Sequence, residues 1–328
     1  MFYAVIDQER SGPLASLIQM EYVLALAQHR SFVKAAAACF ITQPTLSMQV
    51  SKLEDELGVL LFDRSRKPLA PTDAGVALIA QFRRVLDEAG RVSQLVNAMR
   101  GELAGPYRLG VIPTMAPWIL PLIIRHLPAA HPRLELTVRE LTTAEIIGAL
   151  REARIDAGIL ATPLEDTQIR ETPIFNEPFY IYHSPRCRDF TGQTRVRLQD
   201  LPLEKIVVMS EGHCLRTQVL DFCRLAEGGG AGDGFRFESG SVSTLLRIVD
   251  QGDFFTILPW LAVQELPARQ RQARVLPFSD LVPFREVGLV SWRSAVKEAV
   301  HEAVVQVVRD HLPELPASSG RSRRLNPL

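Results

Sequence analysis

The 328-residue chain has no surplus of charge, few cysteines and no long apolar run. Each shortage closes off a class of function. Lys+Arg and Asp+Glu number 37 each, so bulk attraction to a polyanion is excluded and any affinity for nucleic acid must come from local placement of cations. No apolar run approaches the roughly 18–20 residues of a membrane span. The opening "MFYAVIDQERSGPLASLIQ" lacks an apolar core behind a basic start and does not read as a signal peptide. The expectation is a cytoplasmic protein with no membrane partner, whose thiols are kept reduced. Four cysteines (Cys39, Cys187, Cys214, Cys223) do not make a disulfide scaffold. Phosphate-binding loops, dinucleotide fingerprints and metal-spaced His/Cys clusters are missing too. "GGGAGDG" (228–234) lacks the Lys-Ser/Thr ending of a phosphate loop and reads as a flexible connection. Neither a cofactor nor a metal is expected.

What is present begins with three short helices in residues 17–58. The first runs from about Leu17 to His29, and the second begins near Ser31 in "SFVKAAAACF". The third has explicit punctuation: Thr42 caps, Pro44 sits where a missing N–H costs nothing, and Gly58 ends it. Leu46, Val50, Leu53 and Leu57 form its buried stripe, which leaves Thr45, Ser47, Met48, Ser51 and Lys52 on the far side. Small polar groups and one cation suit a helix lying in a major groove, although the pattern fits a solvated face equally well. "VLLFDRSRKPLAPTDAG" then reads as a tight ribbon with Arg64, Arg66 and Lys67 at its tip, suited to phosphate. Six Lys/Arg balance six Asp/Glu over residues 20–75, so charge placement matters more than charge excess.

From Ala74 to about Glu102 the chain reads as one long helix. Leu78, Phe82, Val85, Ala89, Val92, Val96 and Met99 alternate steps of four and three, the seam of a paired helix, and Arg83, Arg84, Asp87, Glu88 and Arg91 fill other positions. Two copies joined there would present two reading helices to two half-sites. Beyond it, the apolar runs "YRLGVIPT", "RLELTVRE", "DAGILATP", "FYIYHSP", "KIVVMS", "FFTILP" and "VGLVSW" read as strands alternating with helices, which implies a parallel α/β domain binding its ligand in a cleft.

"SEGHCLRTQVLDFC" carries two thiols nine residues apart. Cys214 falls in the first turn of a helix that follows a strand-type run. The positive helix end and its free N–H groups, with Arg216 nearby, are expected to favour its thiolate, the form that peroxides oxidise. A buried, inert cysteine fits the same position. Along an intact helix the two residues are about 13.5 Å apart and half a turn out of phase, while a disulfide needs Cα atoms about 4.4–6.8 Å apart. A bridge therefore requires the helix to give way. Cys39 reads as core, and Cys187 as exposed and incidental.

"SFVKAAAACFITQPTLSMQVSKLEDELGVLLFDRSRKPLAPTDAG" resembles the winged helix-turn-helix of LysR-type transcriptional regulators. That resemblance implies groove and phosphate contacts to double-stranded operator DNA at Gln43, Pro44, Thr45, Ser47, Gln49 and Lys52, with Arg64 and Lys67 on the wing. It also implies a two-lobed, periplasmic-binding-protein-like regulatory domain. The expected layout is an extension (1–14), the winged domain (15–75) and a linker and dimerisation helix (76–104). Lobe I follows (105–176 and 284–312), then lobe II with the redox cysteines (177–283) and a disordered tail (313–328). "GHCLRTQVLDFC", with "GVIPTMAPWILP", "ELTTAEI" and "REVGLV", is similar to the OxyR-type hydrogen-peroxide sensors of that family. The similarity implies Cys214 as reactive and Cys223 as resolving cysteine, and a peroxide pocket of Thr114, Thr143, Gly212 and His213 with Arg285. It further implies a homotetramer, RNA polymerase as a partner, and a regulator, activating oxidative-stress genes, rather than an enzyme. The alternative within the family is a regulator that answers to a small metabolite in the interlobe cleft, with silent cysteines.

Overall fold

The computed structural model describes residues 15–99, 103–210, 214–225, 241–293, 297–316 and 321–327. The expected extension, Gly212 and His213 of the expected pocket, and the glycine-rich connection lie outside them. The chain divides into two units, residues 1–96 and 97–328.

In the first unit, α1 (Leu17–His29) opens with a reciprocal cap between Ser16 and Gln19, and α2 (Phe32–Ala38) is capped by Ser31. The third helix, α3 (Gln43–Leu57), starts at Thr42, whose side chain accepts from the Thr45 N–H, and ends at Gly58 with φ 67°. That left-handed residue is where a Cβ would cost most, hence the glycine. Leu46, Val50 and Leu53 are buried with Val23, Leu26 and Ala35, while Leu57 is only partly covered. Sequence periodicity missed Glu54, which is 3% exposed. Its Oε1 accepts from the N–H groups of Leu61 (2.7 Å) and Phe62 (3.2 Å), and Oε2 pairs with Arg64 at 2.8 Å. This buried carboxylate fixes the start of a two-stranded hairpin, β1 (Phe62–Asp63) and β2 (Ala70–Pro71).

The long helix α4 (Asp73–Met99) follows. Gly75 is obligatory near its start, since a Cβ there would sit 2.0 Å from the Leu61 carbonyl oxygen. The expected pairing seam is divided. Ile79 and Phe82 are buried in the unit's own core, with Leu78, Val85 and Leu86 packed against them, whereas Val92 stands 67% exposed. The first half of the apolar pattern is spent inside the domain. The side chains of Val96 and Met99 lie outside those described.

The second unit is built on a mixed sheet. Its elements run β3 (Gly105–Val111), α5 (Ala116–Ala130), β4 (Leu134–Glu140), α6 (Thr143–Arg151), β5 (Ala157–Thr162) and β6 (Ile169–His183), then α7 (Cys214–Arg224), α8 (Val242–Gln251) and β7 (Phe255–Pro259). After these come α9 (Trp260–Gln264), α10 (Ala268–Arg274), β8 (Val275–Leu276), β9 (Leu281–Trp292), α11 (Glu298–His311) and β10 (Arg321–Arg324). The strand order is β4-β3-β5-β9-β6-β7, with β8 on β6 and β10 on β9. Pairing is parallel among β4, β3 and β5 and antiparallel from β5 through β9 to β6 and β7. The all-parallel expectation is corrected because β6 and β9 run through both halves of the sheet in opposite directions. β6 pairs with β9 as far as Pro178, then with β7 from Phe179 onward. Two cores flank this crossover, one centred on Tyr107, Val111, Ile119 and Ile159, the other on Phe179, Phe222, Phe255 and Phe278.

Two further expectations change. "KIVVMS" forms no strand, contributing only an isolated bridge from Ile206 to Phe255. The tail expected to be disordered contains β10, which lies parallel to β9, and Leu325, which is buried. Among the described residues no helix is long and apolar enough to cross a membrane.

His301 of α11 sits 5.8 Å from the Tyr107 ring, and its Nε2 has no hydrogen-bond partner. Burial drives its pKa down from 6.5 to about 4; Asp156 opposes this and Lys297 adds to it, both by less. Between those values the unfolded chain binds a proton that the folded chain refuses, so stability falls as pH falls through this window, by about 3 kcal/mol in all. Urea melts of wild type and His301→Phe from pH 7 to pH 4 are expected to show that loss in the wild type and a flatter profile in the variant.

Candidate functional site

The second unit gathers its chemistry where β6 and β9 cross. Glu177 and Arg285 are cross-strand partners in that antiparallel pair, and both side chains are 0% exposed. Glu177 Oε2 accepts from Arg285 Nε at 2.8 Å and pairs with Nη2 at 2.7 Å, while Oε1 accepts from the Leu261 N–H at 2.8 Å. Arg285 Nη1 donates to Thr114 Oγ1 (3.2 Å) and Nη2 to the Thr114 carbonyl (3.4 Å), and the guanidinium lies over the Phe179 ring. A buried cation is tolerated only when its donors are used in this way. Because the Thr114 hydroxyl accepts from Arg285, its own hydrogen is left to donate elsewhere.

Cys214 is the first residue of α7 and is 6% exposed. Its side chain belongs to the core around Ile119 and Ile159, whereas Leu215, Val219, Phe222 and Cys223 of the same helix belong to the other core. One turn of α7 thus passes from one lobe's interior to the other's. Thr143, at the start of α6, faces the sulfur. Its hydroxyl is buried and meets no partner at hydrogen-bond geometry, yet it is close enough that its donation favours the thiolate. Burial pushes the Cys214 thiol up, and the nearby Arg285, Thr143 and the N–H groups of Leu215 and Cys214 pull against it without winning. The expected net lowering is therefore corrected: the resting group is a thiol, and the helix end only offsets part of the desolvation. Arg216 is also corrected as the helping cation: the cation that pulls on the Cys214 thiol is Arg285, while Arg216 Nη1 donates to the Met209 carbonyl at 3.3 Å.

Cys223 is 5% exposed, and burial pushes its pKa up to about 12. All four cysteines are free. Cys187 is 2% exposed rather than exposed, donates to Asp189 at 3.5 Å, and is raised to about 12 by burial and by Asp253 and Asp189. With those two carboxylates it forms a compact cluster, but Lys205 Nζ already pairs with both, at 2.6 and 2.9 Å. Cys39 is partly covered at the edge of the first unit's core.

In the first unit, Gln43, Pro44, Lys52 and Lys67 are exposed, and Thr45, Ser47 and Gln49 are half-buried. Lys52 leans toward Glu56 at 3.7 Å. The Arg64 side chain stays 46% exposed, yet its Nη2 donates to Ser51 and Glu54 at 2.8 Å and its guanidinium lies over Phe32. It braces α3 against the hairpin, a role the run of three cations did not reveal.

Of the expected pocket, Thr114, Thr143, Cys214 and Arg285 come together, and Gly212 and His213 fall outside the described residues. The sequence reading missed Glu177. Its one signal is an acidic residue two positions before the strand-type run "FYIYHSP". Replacing Arg285 by Met together with Glu177 by Gln keeps the buried charge balanced while removing the cation that pulls on the Cys214 thiol. The Cys214 thiolate, followed by its ultraviolet absorbance in a pH titration, is expected to appear at higher pH in this double variant. An unmoved titration would mean that Arg285 does not act on the thiol.

Residues 17–76 match the family model described as bacterial regulatory helix-turn-helix protein, lysR family, and residues 100–313 match the LysR substrate binding domain. The chain is 36% identical over 293 residues to the "DNA-binding transcriptional dual regulator OxyR" of Escherichia coli K12, covering 88% of this chain and 93% of that protein. It is 36% identical over 295 residues to the "hydrogen peroxide-inducible genes activator" of Dickeya chrysanthemi, covering 89% and 94%. Among solved structures, a full-length OxyR variant from Pseudomonas aeruginosa superposes with a TM-score of 0.76 at 32% identity, covering 90% of this chain and 98% of that one. Matched in both its helix-turn-helix and its regulatory domain, the chain belongs to the LysR family of transcriptional regulators.

Proposed function

We propose that the protein is a peroxide-sensing, DNA-binding transcriptional regulator switched by oxidation of Cys214. The observation that carries the reading is the convergence of Arg285, Thr143 and the first N–H groups of α7 on one buried thiol. That cradle favours thiolate and developing negative charge against a low-dielectric surround. The relatives named for hydrogen peroxide support it. On this reading the hydroxyls of Thr114 and Thr143, both of which can donate and accept, hydrogen-bond the peroxide, and Gly212 and His213 precede Cys214 directly in the chain. The Cys214 thiolate attacks one peroxide oxygen, the O–O bond breaks, and the departing hydroxide takes a proton. The products are a sulfenic acid and water.

Resolution uses Cys223. Its thiol attacks the sulfenic sulfur, the S–O bond breaks, and the displaced hydroxyl leaves as water with the Cys223 proton. Within α7 the two residues are about 13.5 Å apart along the axis, so this step needs the helix to unwind. Unwinding also removes Cys223 from the core that holds its pKa near 12, returning it toward an ordinary thiol and making it a competent nucleophile. The resolving thiol is thus inert until the change that brings it to its partner.

On the DNA side, Gln43, Thr45, Ser47 and Gln49 read base edges from α3, and Pro44 pre-sets the helix start. Lys52 and Lys67 meet phosphates, and Arg64 adds the part of its guanidinium that its brace on Ser51 and Glu54 leaves exposed, with the hairpin serving as a wing. The exposed Val92 supports a homodimer through the far half of α4, and the family likeness extends this to a cytoplasmic homotetramer that meets RNA polymerase at promoters and activates oxidative-stress genes. Each subunit is oxidised once per signal and is no enzyme. A small-metabolite effector with silent cysteines is the weaker reading, since it leaves the convergence on Cys214 without a purpose. DNA footprints of wild type and Cys214→Ser, with and without peroxide, test the proposal. The expected result is a protection pattern that changes with peroxide in the wild type alone. A wild-type footprint indifferent to peroxide contradicts redox control.

A further inference from the structure

We propose that the C-terminal segment is a strap on the redox helix, docked while α7 is intact and let go when α7 unwinds; the trigger rests on the reading above. β10 pairs in parallel with β9, Arg321 with Leu281 through Arg324 with Phe284, ending one residue short of Arg285. Its four side chains are exposed, so the backbone ladder and not side-chain burial makes it a strand. The chain then turns inward. The Leu325 N–H donates to the Phe284 carbonyl at 2.8 Å, and the Leu325 side chain is 5% exposed within the core that contains Phe222 and Cys223. Gln218, which is 0% exposed, donates through Nε2 to the Leu325 carbonyl at 3.0 Å. Arg324 adds an ion pair to Glu286 at 3.5 Å.

The position of Gln218 decides the consequence. It lies four residues after Cys214 and five before Cys223, inside the one stretch that cannot keep its helical form in a disulfide-linked product. When that stretch changes, the bond from Gln218 to the Leu325 carbonyl is lost and the core that Leu325 shares with Phe222 and Cys223 is disturbed. Coupling is reciprocal: a docked tail favours the helix, so it also restrains formation of the bridge. The strap lies beyond residues 100–313, the part matched by the family's regulatory-domain model.

Hydrogen exchange of the full-length protein tests this, read by mass spectrometry at residues 321–327 before and after one equivalent of hydrogen peroxide, with the Cys214–Cys223 link mapped in the same sample. Oxidation is expected to speed tail exchange about tenfold or more, the scale of losing one buried hydrogen bond and its packing. In the reduced state Gln218→Ala is expected to do the same, and a chain ending at residue 316 is expected to form the disulfide about fivefold to tenfold faster. Should Gln218→Ala fail to fold, Leu325→Ala breaks the same contact from the tail side and is expected to behave alike. A mapped disulfide with unchanged tail exchange overturns the strap and leaves the sensor standing. No disulfide at all overturns the sensor reading and the trigger with it.

Discussion

The buried pair of Glu177 and Arg285 is the constraint on which the regulatory unit depends. Two full charges with no exposure are stable only if every donor and acceptor is used, and here each partner demands a particular neighbour. Glu177 takes the Leu261 N–H at the head of α9, and Arg285 takes both oxygens of Thr114 ahead of α5. The pair thereby fixes the crossing of β6 and β9, where one core gives way to the other. Its residual positive field falls on Cys214. The same interaction therefore holds the lobes in register and biases the thiol, so neither function can be altered without the other.

Cys214 is held in a balance rather than in an activated state. Burial raises its pKa, while Arg285, Thr143 and two backbone N–H groups lower it without cancelling the burial. A resting thiol is protected from indiscriminate chemistry, and the groups that favour thiolate are already placed for a small polar oxidant. Cys223 lies at the opposite extreme, buried with nothing that offsets the desolvation. One thiol is poised and the other silenced, and the helix between them is their common gate. Its ends are packed in different cores, so straining the first turn of α7 also strains the contact between lobes.

Much of this was legible in local sequence. Thr42, Pro44 and Gly58 marked both ends of α3 because caps act within one turn, and the position of Cys214 at a helix start followed from the polar turn before it. What escaped were interactions set by distant partners. Glu177 and Arg285 are 108 residues apart, and no local pattern announces their pairing. Glu54 reads as one of several acidic residues on a helix face until the Leu61 and Phe62 amides fold back onto it. The α4 seam suggests an intermolecular pairing because periodicity cannot say which partner covers Phe82. "RSRR" carries no strand signal, since β10 is a strand only by virtue of the β9 edge beside it.

The central claim is that Cys214 and Cys223, buried in separate cores and separated by an intact helix, become one disulfide when peroxide reaches Cys214. Peptide mapping under non-reducing conditions, after one equivalent of hydrogen peroxide is added to the reduced full-length protein, tests it most directly. The account predicts a Cys214–Cys223 link, with Cys39 and Cys187 left as thiols. Cys214 recovered only as a thiol, or linked elsewhere, would contradict it.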